Sequence, residues 1–133
     1  MNFCEISYGP SYELFFKPAI AAPGGNIITT LPVDLGLYAM ASGTDLANAF
    51  VAGSAALVLS SKGKRTSHVA KGVLSLFEST AQKVPSSTNK SDPLQTLTQQ
   101  GAGLINVFAA INTTTTISPT ELLLNSTAHF VSM

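Results

Sequence analysis

The chain has 133 residues, enough for one ordinary domain. Its seven basic and seven acidic residues cancel to a net charge of zero, which excludes the basic footprint of a nucleic-acid binder and an acidic tail. Charged residues make up only 11%, against roughly 25% in soluble domains, and the mean hydropathy is +0.30, so the chain reads as part of something larger rather than as a well-solvated unit.

The first sixteen residues are aromatic-rich and contain a Tyr8-Gly9-Pro10 turn. The lone Cys4 has no partner for an internal disulfide. No basic stretch followed by an apolar one opens the chain, so no signal peptide is expected. "KPAIAAPGG" reads as an extended loop beside a short strand, since prolines flank its apolar centre. "NIITTL", β-branched from Ile27 to Thr30, predicts a strand that Pro32 closes. "LYAMAS" predicts a second strand, ended by Gly43.

From Asp45 the pattern changes. Leu46, Ala47, Phe50, Val51, Ala55, Leu57 and Val58 are apolar nearly all round a helix, which predicts a buried one. Its longest apolar stretch, broken by Asn48 and Ser54, is too short to span a bilayer, for which about 20 residues are needed. Asp45 is expected to be the N-cap, where a carboxylate accepts the orphan N–H groups of the first turn. Gly53 inside the helix predicts close backbone packing. Gly63 is the expected stop. The short cluster Lys62, Lys64, Arg65 reads as a solvated loop.

A second helix is predicted over 67–81, with Val69, Val73, Leu76 and Phe77 on one face. "KVPSSTNKSDP" is a polar loop, and "GAGLINVFAAIN" predicts a third, short helix. "TTTTISPT" reads as a linker, followed by the strand-like "ELLLNSTAHFV". There are no internal repeats.

Candidate chemistry is sparse. His68 and His129 stand far apart with no Cys or acid at ligand spacing, so neither a metal site nor a cofactor is expected. The turns "PGGN" and "SGTD" match no phosphate-loop motif, and Asp45 would repel an anion. "SGTD" has no second copy to form an aspartic-protease dyad. Asn89, Asn112 and Asn125 each open an N-x-Ser/Thr triplet and are candidate N-glycosylation acceptors, which weakly favours a secretory parent.

Read together, the segments resemble the C-terminal part of the catalytic domain of subtilisin-like serine proteases, most of all secreted fungal members. "KPAIAAPGGNI" is similar to KPDIxAPGGNI, with Ala19 in place of the acid. "GTDLANAFVAG" is similar to GTSMAxPxVAG, the segment carrying the nucleophile. "QQGAGLINVFAAI" resembles the GAGLINVxxA helix, and "SYGP" the SSxGP turn. The likeness runs over residues 7–111 in the family's order.

The resemblance implies an α/β fold: the C-terminal portion of a parallel-sheet domain with a buried central helix, incomplete on its own. It also implies residues 1–112 as part of the catalytic domain, 113–120 as linker, and 121–133 as the start of a following β domain or tail. The matched motif positions are Gly43, Thr44, Leu46, Ala47, Ala49 and Gly53, and the nucleophile-equivalent position is Asp45. Leu46 replaces Met with little change in volume, and Ala49 replaces Pro. The family's Asp and His precede the serine, on segments that do not match this chain. Asn26 and Asn48 lie in other motifs and do not correspond to the family's oxyanion asparagine.

The expectation is therefore a serine-endopeptidase relative that is truncated and catalytically silent. One alternative is a binding remnant that docks on a protease or propeptide. Another is an incomplete gene model of a full protease. A protein partner completing the sheet, or self-association, is expected; nucleic acid and membrane are not.

Overall fold

The computed structural model describes residues 4–5, 7–13, 15–63, 67–87, 89, 91–115 and 117–119. Both predicted strands form. The β-branched run becomes β2 (Ile27–Thr30), after a two-residue β1 (Cys4–Glu5), and the second becomes β3 (Tyr38–Gly43). The sheet order is β1-β3-β2. β1 runs parallel to β3, pairing Cys4 with Ser42, whereas β2 and β3 are antiparallel, pairing Ile28 with Met40.

The expected parallel sheet is thus confined to the shortest pairing. The reason is local. After Pro32 the chain makes a 3-10 turn over Val33–Leu35, and Leu31 N–H donates to the Leu37 carbonyl at 2.7 Å. That closure folds β3 directly back on β2. The sequence alone predicts no helical turn there.

Helix α1 (Thr44–Lys62) follows β3 without a break and ends at Gly63, whose φ of 63° is left-handed. Helix α2 (Ser67–Thr80) matches its predicted span within a residue. Val73, Leu76 and Phe77 are buried as the helical spacing requires; the side chain of Val69 lies outside the described residues. "GAGLINVFAAIN" is only half helix. A short α3 (Leu97–Gln100) precedes it, residues 101–105 make a non-helical turn with isolated bridges at Gly101 and Leu104, and α4 is Val107–Asn112. Gly101 and Gly103 have φ of 58° and 129°, which a helix cannot accommodate. The helix starts only after Asn106, whose Oδ1 accepts from Ala109 N–H at 3.0 Å.

The core is one cluster where α1, α2 and α4 meet: Val58, Val73, Leu76, Phe77, Ile105 and Ala110. Val51, Ala55 and Leu59 extend it along α1, the i, i+4, i+8 stripe around Val58. Opposite that stripe α1 is uncovered: Phe50 is 45% and Leu57 54% exposed. The burial expected of this helix in a complete domain is thus only half met within this chain. An all-round apolar helix needs cover on every side, and among the described residues the main packing on α1 comes from α2, α4 and β3. Gly53 is corrected too, because a Cβ built there meets nothing within 4 Å.

Lys62 does not belong to a solvated basic loop. Its Nζ donates to the carbonyls of Ile111 and Thr113, each at 3.3 Å, and ties the end of α1 to the end of α4. The linker expected at 113–120 is described only in part, and the tail over 121–133, with Asn125 and His129, lies outside the described residues. No helix among the described residues is long and apolar enough to cross a membrane.

Candidate active site

The chemistry-bearing motif sits at the junction of β3 and α1. Ser42 and Gly43 end the strand, and Thr44, Asp45 and Leu46 form the first helical turn. The N-cap is Gly43, and no side-chain hydrogen bond caps the helix. The capping role expected of Asp45 is therefore corrected: the N-cap lies two residues earlier, and Asp45 stands inside the first turn. There its charge complements the helix dipole, worth about 0.3–1 kcal/mol near an exposed N-terminus. The Asp45 side chain is exposed.

The "PGGN" segment packs directly on this junction. Gly43 N–H donates to the Gly24 carbonyl at 2.9 Å. Asn26 N–H donates to Ser42 Oγ at 2.8 Å. The approach at Gly24 is so close that an added Cβ would stand 2.7 Å from the Gly43 carbonyl oxygen and 2.9 Å from the Ala47 Cβ. Gly24, unlike Gly53, is a glycine the packing demands. Sequence spacing marked the double glycine as a loop but carried no signal that it meets the start of α1.

Residues 101–105 hold the other side of the same loop. Ala102 N–H donates to the Ala19 carbonyl and Ile105 N–H to the Ala21 carbonyl, each at 2.9 Å. Three of the four motif segments are thereby joined in space, and the fourth, "SYGP", attaches through Gly9 N–H to the Thr98 carbonyl at 2.9 Å. Between them lies a cleft of about 290 Å³ walled by Ile20, Gly24, Ser42, Gly43, Thr44 and Ala47. Asp45 does not line it. Leu46 and Ala47 are half-buried, and Ala49 is exposed.

No group of three His, Cys, Asp or Glu residues able to hold a metal occurs among the described residues. His68 lies in α2, but its side chain is outside the described residues. Asn89 is exposed in a turn closed by Asp92 N–H on the Asn89 carbonyl at 3.1 Å. Asn112 is exposed at the end of α4, its Nδ2 donating to the Phe108 carbonyl at 2.8 Å.

Residues 6–103 match the subtilase family, peptidase S8. The chain belongs to this family. It is 35% identical to the PII-type proteinase of Lactococcus lactis subsp. cremoris over 80% of its length. It is 34% identical to subtilisin-like protease 3 of Plasmodium falciparum (isolate 3D7) over 83% of its length. The chain spans 6% of the first relative and 12% of the second. The match to the family covers β2 through α3 and thus includes the β3–α1 junction.

Proposed function

We propose that this chain carries the C-terminal part of a subtilisin-like catalytic domain, the part that presents the nucleophile turn, and that as it stands it does not hydrolyse peptides. The observation that carries this reading is Asp45 in the first turn of α1, within "GTDLANAFVAG". The family's chemistry needs a serine whose proton passes to a histidine held by an aspartate. At the position equivalent to that serine stands a carboxylate. A carboxylate attacking a peptide carbonyl would form an anhydride, and its charge would oppose the developing oxyanion.

The geometry supports a structural role for the turn, with altered chemistry. The strand-to-helix turn, the Gly24 contact and the hydrogen bonds of residues 102 and 105 to the 19–21 segment all hold the junction in one shape. The endopeptidase activity belongs to the relatives' class; in this chain the turn serves structure. Incubation with casein and measurement of released peptides tests this reading. No release above a buffer control is expected, and release abolished by Asp45→Ala would overturn it.

A binding role is the second reading, favoured by the uncovered side of α1 and by the outer sheet face, where Ile28 is 73%, Tyr38 67% and Met40 65% exposed. Such a surface suits a protein partner that completes the sheet, or a second copy of the chain.

A further inference from the structure

A second, larger cavity of about 780 Å³ lies away from the β3–α1 junction, between the 15–19 segment, α2 and α3. Its volume falls in the range of small-molecule sites, which are mostly apolar with a few placed polar groups. Phe15, Phe16, Leu74, Leu97 and Ile117 supply the apolar walls. Each is 43–61% exposed, so the surface is open to a ligand.

One acid lines the same cavity. Glu78 projects from the last turn of α2, and its Oε2 is buried with no hydrogen-bond partner among the described residues. A buried carboxylate oxygen left unpaired is costly, and a cation nearby offsets that cost. The walls around it are aromatic and aliphatic, so the complementary ligand joins a positive charge to an apolar body. Lys17 also lines the cavity and is exposed. Its flexible ammonium is the internal competitor for the same carboxylate.

We propose that this cavity binds a small primary ammonium carrying an alkyl or aryl chain, with the ammonium on Glu78 and the chain against Phe15, Phe16 and Leu97. Nothing in the chemistry at Asp45 uses this cavity. The two sites share no lining residue other than Pro18.

The test is a titration of the full chain with hexylammonium, hexanol and hexanoate, followed through the backbone amide signals of Leu74, Ser79, Leu97 and Ala102. Saturable shifts with hexylammonium are expected, with hexanol about tenfold weaker and hexanoate weaker still, as loss of a charge-assisted pair implies. Glu78→Gln should bring hexylammonium down to the affinity of hexanol. Leu97→Ser, at an exposed wall position, should weaken hexylammonium and hexanol alike without disturbing the fold. Lys17→Ala should tighten hexylammonium or leave it unchanged. Equal binding of the three probes, no saturable binding, or hexylammonium binding seen only in Lys17→Ala would overturn the proposal.

Discussion

Gly24 and Ala47 are locked together across the junction of β3 and α1. A Cβ at position 24 would stand 2.9 Å from the Ala47 Cβ, closer than real side chains approach. The Gly43 carbonyl, 2.7 Å from the same point, is backbone and cannot swing aside. Gly24→Ala should therefore cost about 1–3 kcal/mol, the usual penalty of overpacking. Urea unfolding of the variant against wild type measures it. Gly53→Ala is the control: with nothing within 4 Å of the new Cβ and an alanine replacing an interior helical glycine, it should stabilise by up to about 1 kcal/mol.

Asp45→Ala should be mild. The side chain is exposed, and the helix start at Gly43 has no side-chain cap to lose. What disappears is the interaction with the helix dipole, less than about 1 kcal/mol and weaker in salt. Unfolding in low and high salt checks this. A loss of about 2 kcal/mol or more that salt does not reduce would mean that the carboxylate holds the turn directly.

These two positions show what was legible in the sequence. The alternating and helical patterns located β2, β3, α1 and α2, because local periodicity is set by burial of one face. The three motif segments identified the family, and with it the α/β class. Contacts between segments distant in the chain were not legible. The Gly24–Ala47 approach, the Lys62 tie to α4 and the antiparallel return of β3 are facts of chain reversal, which no single stretch encodes. The apolar run of α1 was read as burial because composition shows only that cover is needed, not whether it is present.

Gln100 is buried at 6% exposure and spends both ends of its amide. Its Oε1 accepts from Val84 N–H at 2.8 Å, and its Nε2 donates to the Gln95 carbonyl at 2.6 Å. Gln100→Leu keeps the volume and strands both backbone groups. A loss of about 2 kcal/mol is expected, read by denaturant unfolding, together with faster amide exchange at Val84. Unchanged exchange there would show that the amide is dispensable.

The uncovered side of α1 predicts self-association. Phe50 and Leu57 lie half open to solvent on a chain with only 11% charged residues. Sedimentation should show a mass that rises with concentration, and Leu57→Lys should return it toward the monomer. A wild-type chain that stays monomeric at high concentration, with a sharp cooperative melt, would instead mark a self-sufficient unit.

The central claim concerns chemistry at position 45, and a fluorophosphonate probe addresses it most directly, because the probe bonds only to an activated serine-type nucleophile. With Asp45 in the first turn of α1, the purified chain should give no labelled band and no mass increase, even after prolonged incubation. Stoichiometric labelling, mapped by mass spectrometry to any serine or threonine lining the junction, would contradict the account.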